Sequence, residues 1–180
     1  MSSLSTARLL LRKITAEDRD AIFAWARDPD VSRYGSWNVH QTAHDTETFI
    51  EACLRQYERE GLGPWLIELR DDGEVIGSCG YGYVDRLDRR GGIGYFLART
   101  HWGKGLATEA AAAILRFGFG PMALNRVEAR CMLANTASER VMQKIGMRFE
   151  GVLRQDMYKA GAFHDVKLYA RIASDGEPAR

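Results

Sequence analysis

Gly92-Ile-Gly-Tyr-Phe-Leu-Ala-Arg-Thr-His-Trp-Gly-Lys-Gly-Leu-Ala-Thr-Glu109 is the stretch that decides how this chain is read. Its apolar start, Gly92 to Ala98, reads as a strand, and a glycine-punctuated turn leads straight into an alanine-rich helix. A glycine loop that opens a helix presents unpaired backbone N–H groups and the positive end of the helix dipole, which together hold phosphate. No GKS or GKT follows, so the loop is not of the Walker-A kind. The G-x-G-x-x-G order of a dinucleotide fold is also absent. Glycines at 103 and 105 allow close backbone approach, so the N–H groups from Gly103 to Thr108 can converge on one anion.

Working outward, the segment Arg8 to Ile14 reads as a strand. Thr15-Ala-Glu-Asp18 resembles a capping box for a helix whose apolar face carries Ile22, Phe23 and Ala26, and Asp28-Pro29-Asp30 stops it. A second helix is expected from about His44 to Glu60. Trp65 to Arg70 and Val75 to Val84 flank Asp71-Asp72-Gly73 as a hairpin. Past the glycine loop, Leu106, Ala110, Ala113, Ile114 and Phe117 form one helical stripe that Gly118-Phe-Gly-Pro121 ends. Arg126 to Leu133 is a strand, Thr136 to Ile145 a helix capped by Gly146, and Phe149 to Tyr158 and Phe163 to Ile172 are two final strands. The order is strand, two helices, three strands, helix, strand, helix, two strands. It predicts a mixed α/β (α+β) single domain over 1–173, with helices on both faces of a largely antiparallel sheet, and a flexible polar tail over 174–180.

The chain of 180 residues is 46% hydrophobic and 27% charged, enough for one compact core, and its formal net charge of +1 gives no general attraction to nucleic acid or an anionic membrane. Cys53, Cys79 and Cys131 are odd in number and widely spaced, and read as free thiols in a reducing compartment; Cys131 as a covalent acetyl carrier is the less favoured reading. The four histidines lack metal-ligand spacing, so no metal is expected. No basic stretch followed by an apolar run opens the chain and no segment has membrane-spanning length, so a cytoplasmic location is expected.

Over nearly its whole length the chain resembles the GCN5-related N-acetyltransferases (GNAT), in particular their RimJ/RimL-type branch of ribosomal-protein N-acetyltransferases. The resemblance rests on Thr6-Ala-Arg-Leu-Leu-Leu-Arg12, Asp28-Pro-Asp-Val-Ser-Arg-Tyr34, Ile93-Gly-Tyr-Phe-Leu97 and Trp102-Gly-Lys-Gly-Leu-Ala-Thr-Glu-Ala110. It continues through Arg126-Val-Glu-Ala-Arg130, Asn135-Thr-Ala-Ser138, Lys144-Ile-Gly-Met147, Glu150-Gly-Val-Leu153 and His164-Asp-Val-Lys-Leu-Tyr169. Each motif is weak alone, and their order and spacing together are specific. Trp102 stands where the broad pattern Arg/Gln-x-x-Gly-x-Gly/Ala has Arg or Gln, so some donor contact is expected from elsewhere, such as Lys104 or Arg99.

The resemblance implies a GNAT fold with a mostly antiparallel six- to seven-stranded sheet, and acetyl-CoA as co-substrate. The donor's pyrophosphate would lie on Trp102, Gly103, Lys104, Gly105, Leu106, Ala107 and Thr108. Its pantetheine arm would lie along the backbone of Tyr95, Phe96 and Leu97, where that strand splays from the next. By the same resemblance Asn135 reaches the pantetheine and Ser138 lies near the departing sulfur as a proton donor. Helix capping is the alternative reading of Asn135. Tyr34 and Trp37 fall in the segment that walls the acceptor site, with loop packing the alternative for Trp37. A carboxylate is needed to deprotonate the acceptor amine. The position where some relatives carry it aligns with Met157, which leaves Asp156 and Asp85 as candidates; Glu109 and Glu128 read as structural. The implied activity is direct acetyl transfer to a primary amine, a protein N-terminal α-amine or a small molecule, with homodimers frequent in the family. A non-catalytic acyl-CoA-binding or sensory module is the alternative.

Overall fold

The computed structural model describes residues 1–176. Eight strands form one sheet and five helices pack on it: β1 (Leu4–Ser5), β2 (Leu9–Lys13), α1 (Arg19–Ala26), α2 (Pro29–Ser32), α3 (Ala43–Glu60), β3 (Trp65–Leu69) and β4 (Val75–Asp85). They are followed by β5 (Arg90–Leu97), α4 (Leu106–Phe119), β6 (Arg126–Met132), α5 (Thr136–Lys144), β7 (Arg148–Lys159) and β8 (Ala162–Ile172). The strand order is β1-β2-β3-β4-β5-β6-β8-β7. The sheet has one strand more than expected, because β1 is two residues long and too short to show any periodicity.

Two apolar clusters explain why helices cover both faces. On one side Trp65, Ile67, Tyr81, Ile93, Val127 and Tyr169 pack against the α4 stripe of Leu106, Ala110, Ala113 and Ile114. On the other, Leu66 meets Ile22, Trp25 and Ala26 of α1 and Ile50 and Cys53 of α3. Asp28-Pro29-Asp30 does more than stop α1. Pro29, with no N–H to leave unpaired, opens α2, while Asp28 caps it by accepting from Asp30 N at 3.0 Å. Gly118 sits inside α4 because the Tyr81 phenol occupies the place of a Cβ there, donating to Ile114 O at 2.9 Å.

The join of β5 and β6 matters most for the site. It is the parallel pair in an otherwise antiparallel sheet, and the two strands pair only from Arg90↔Arg126 to Ile93↔Ala129. Beyond Ile93 they part, while β5 stays paired with β4 as far as Gly77↔Leu97. A bulge in β4 between Tyr81 and Tyr83 adds local twist beside this point. At the C-terminal end Ala173–Asp175 forms a turn, with Asp175 accepting from Ile172 N at 3.0 Å and paired with Arg148 at 3.2 Å. Residues 177–180 of the expected tail lie outside the described residues. Among the described residues no helix is long and apolar enough to cross a membrane.

Candidate active site

The parting of β5 and β6 opens a cleft of about 1280 Å³ that runs from the glycine loop to the β4 bulge. Tyr95, Phe96, Leu97, Trp102, Gly103, Gly105, Leu106, Ala107, Thr108, Asn135 and Ser138 all line it. Along the free edge of β5, Gly94 is exposed, and a Cβ there would meet nothing within 4 Å. The side chains of Tyr95 and Leu97 turn to the α4 core and that of Phe96 to the opposite one, so what β5 offers the cleft is chiefly main chain. Trp102 closes the end of the strand: its indole Nε1 donates to Leu97 O at 2.8 Å.

Gly103 and Gly105 have φ of +75° and +77°, a left-handed geometry that costs a residue with a Cβ roughly 1–2 kcal/mol. Among the described residues no side chain caps α4, so its first-turn N–H groups face the loop unspent. Lys104 is exposed and absent from the cleft lining, and its carbonyl oxygen accepts from Arg8 Nη1 at 3.0 Å. Arg99, offered by the sequence as a donor contact, pairs instead with Asp28 (3.1 Å) and Asp30 (3.8 Å).

Across the cleft, Asn135 caps α5: its Oδ1 accepts from Ser138 N at 3.1 Å. The Ser138 hydroxyl lies 2.9 Å from Tyr95 Oη, which is also 3.1 Å from Ser138 O. Burial holds the Tyr95 phenol above its usual range, so it keeps its proton at neutral pH. Burial likewise pushes the Cys131 thiol up to about 11, which leaves it protonated and a poor nucleophile.

At the far end, Tyr83, Gly92 and Glu128 lie in register across β4, β5 and β6. A Cβ at Gly92 would collide with the Tyr83 ring, so glycine there lets the phenol cross β5 and donate to Glu128 Oε2 at 2.8 Å. Glu128 is 6% exposed and lines the cleft. Burial by itself would raise its pKa. Hydrogen bonds from Arg126 (2.7 Å) and Tyr83, and the nearby Arg130 charge, bring it below the usual glutamate range. The sequence reads Glu128 as structural, and its bonds to Arg126 and Tyr83 are of that kind, but it also lines the cleft. Alternation sets Arg126, Glu128 and Arg130 on one polar face of a half-buried strand, so no local signal marks Glu128 as buried.

Tyr34 and Met157 also line the cleft, nearer its parted end: Tyr34 precedes Gly35, which packs on Phe96, and Met157 pairs with His164 beyond the Met132↔Val166 end of β6. Trp37 does not line it. It packs edge-on to Trp25, His40 and Phe96 at centroid distances of 6.2, 5.6 and 5.4 Å, and its carbonyl accepts from Lys159. Asp85 is outside the cleft as well: it accepts from Asp88 N at 3.0 Å, and sits beside a separate depression with Arg59 and Glu60. Asp156 is exposed on β7, 2.9 Å from Arg130 Nη1 and outside the lining, because neighbours in a strand face opposite sides and Met157, like Leu153, faces the cleft.

A family model described as an acetyltransferase (GNAT) domain matches residues 8–148. The uncharacterized N-acetyltransferase YoaA of Bacillus subtilis (strain 168) is 35% identical over 167 residues, 93% of this chain and 94% of that protein. The ribosomal-protein-serine acetyltransferase of Escherichia coli (strain K12) is 29% identical over 132 residues, 73% of each chain. Among solved structures, RimL, a ribosomal L7/L12 alpha-N-protein acetyltransferase in complex with coenzyme A, shares the fold with a TM-score of 0.85. It is 21% identical and covers 95% of this chain and 98% of its own. The parted strands, the open helix end behind a left-handed glycine loop and these matches agree: the chain belongs to the GNAT acetyltransferase family, with RimJ/RimL-type relatives, and is an acyltransferase.

Proposed function

We propose that this protein moves acetyl from acetyl-CoA to a primary amine, a protein N-terminal α-amine or the amine of a small molecule, by direct attack in the β5–β6 cleft. The observation that carries the reading is continuity: one cleft joins an uncapped helix end to an unpaired strand edge and then to a buried carboxylate. A diphosphate fits the first, because N–H groups converge there with no side chain in the way. An amide-bearing pantetheine arm fits the second, since a strand edge pairs with extended amides. RimL, which has the same fold, was solved with coenzyme A bound.

In this reading the N–H groups of β5 near Tyr95 and Phe96 stabilise the oxyanion of the tetrahedral intermediate. The departing thiolate takes its proton from the Ser138 hydroxyl, which regains one from the nitrogen as the tetrahedral intermediate collapses, while Tyr95 Oη holds that hydroxyl in place. For the acceptor ammonium, Glu128 is better placed than Asp156 to receive a proton, directly or through a water, because it lines the cleft. Asp85 and Trp37, which lie outside the cleft lining, take no part in this reading.

The test is release of free CoA thiol from acetyl-CoA across a panel of N-terminal peptides and small amines, with Ser138→Ala alongside. Turnover with one acceptor class, and a roughly three- to tenfold drop in kcat for the variant, is expected, the drop being modest because a thiolate with pKa about 8.5 leaves readily. Tight acetyl-CoA binding without turnover on any amine would overturn the transfer reading and favour the non-catalytic one.

A further inference from the structure

The carboxylate of Glu109, in the first turn of α4, faces away from the helix end. Its Oε1 accepts from Thr6 Oγ1 at 2.6 Å and from Arg8 N at 2.8 Å, and its Oε2 accepts from Arg8 Nε at 2.7 Å. Arg8 is therefore gripped at two points by the helix, and its main chain is fixed to the sheet, where Arg70 N donates to Arg8 O at 3.0 Å. The guanidinium held this way donates its Nη1 to the carbonyl oxygen of Lys104 at 3.0 Å.

Lys104 lies between two glycines with left-handed φ, the part of the loop whose peptides turn most freely. The peptide joining it to Gly105 is trans, so its C=O and N–H point in opposite directions. Whatever fixes the carbonyl on one side fixes the Gly105 N–H on the other. An unheld peptide here could rotate and turn a carbonyl dipole toward an incoming anion. Arg suits the task because its planar fork grips a carboxylate and a carbonyl together, which a lysine ammonium on a flexible stem does less well.

We propose that Arg8 is a positioning residue of the donor site: bridging Glu109 and the Lys104 carbonyl, it locks the 104–105 peptide so that the loop's N–H groups face the diphosphate of acetyl-CoA. This rests on the reading of the loop given above. It also identifies the cation that stands behind the loop where the broad family pattern would place Arg or Gln in the position of Trp102. It comes from the other end of the chain, and it acts on the main chain.

The test compares two donors. Acetyl-CoA carries the diphosphate and acetyl-pantetheine lacks it. Binding of CoA to the wild-type protein is measured first, by calorimetry. No binding would sink the donor-loop reading and the Arg8 proposal together. With binding established, Arg8→Ala is expected to raise the Kd of CoA and the KM of acetyl-CoA about tenfold, the usual weight of one charge-assisted hydrogen bond, and to leave kcat/KM for acetyl-pantetheine unchanged. Arg8→Lys should recover only part of the affinity. Glu109→Gln, which keeps the side-chain volume, should give a smaller rise in the same direction and covers the case in which Arg8→Ala does not fold. Unchanged CoA affinity in folded variants, or an equal loss with both donors, would overturn the proposal and leave Arg8 as a brace of the fold; the donor-loop reading would survive either result.

Discussion

The two ends of the cleft are made of different material. At the α4 end one wall comes from a single run of chain, residues 94–108, faced by Asn135 and Ser138, and consists chiefly of main-chain groups held by other residues: Leu97 O by the Trp102 indole, Lys104 O by Arg8, and two glycines in left-handed geometry. At the β4-bulge end the lining is made of side chains from separate strands, Tyr83 of β4 and Glu128 and Arg130 of β6. A main-chain surface recognises groups that every acyl-CoA shares, a diphosphate and two amides. A side-chain surface can be changed one residue at a time without disturbing that recognition. The difference teaches why one donor device can serve many acceptors: the site's constant chemistry rests on backbone, and its variable chemistry rests on side chains that strand register brings together.

The largest effect that would break this division is expected at Glu128. Glu128→Gln removes the carboxylate and keeps its volume, and should lower kcat about 100-fold at neutral pH with the KM for acetyl-CoA held, the usual loss for a general base. Because the folded-state pKa of Glu128 is depressed, the wild-type group is ionised throughout the neutral range. Its contribution to stability is present above the ordinary glutamate value of about 4.3 and is lost as pH falls through the lowered one. An unchanged kcat would return Glu128 to a structural link between β6 and β4. A raised KM for acetyl-CoA would mean that the two ends are coupled.

The same division explains what could be read from the amino-acid order. The α4 end was legible because its instructions are local: glycines at 103 and 105 are visible in the sequence, and so is the lack of a Ser, Thr, Asp or Asn at the helix start. Seven strands and the apolar stripe of α4 were legible from apolar runs, turn signals and helical spacing. The bulge end was not, because it depends on register. Glu128 meets Tyr83 only after three strands have paired and Gly92 has let a ring across, whereas Asp156 turns away from the side of Met157 by plain strand alternation, which the sequence does show. Arg8 was hidden as Glu128 was, lying nearly a hundred residues from the loop it holds.

A smaller effect is expected from straining the α4 end directly. Gly105→Val puts a β-branched residue at φ +77°, although the nearest atom to its Cβ, Arg8 Nη2 at 3.6 Å, leaves room for it. The loss is therefore conformational, and the KM for acetyl-CoA should rise about 20-fold through a displaced loop, with the KM for the acceptor amine unchanged. Equal damage to both KM values would show that the loop supports the whole cleft.

Asn135 sharpens the comparison most finely, because it stands at a second helix end in the same cleft and that end is closed by its own side chain. Its Oδ1 is spent on Ser138 N, and among the described residues its amide NH2 has no hydrogen-bond partner within the protein. Asn135→Ala should cost about 1 kcal/mol of unfolding free energy, the ordinary weight of a lost N-cap. Asn135→Asp restores a capping oxygen without the NH2, so the pair of variants separates the two roles the side chain can have. If Asn135 only caps α5, the aspartate variant recovers both stability and the wild-type KM for acetyl-CoA. If the NH2 also donates to the pantetheine arm, stability returns and the KM stays several-fold high, the cost of one neutral hydrogen bond plus a carboxylate facing an amide oxygen. The second result is the one expected. It would place Asn135 beside Ser138 as a side chain of the donor end that touches the ligand through its own polar atoms, and one that also shapes the main chain around it.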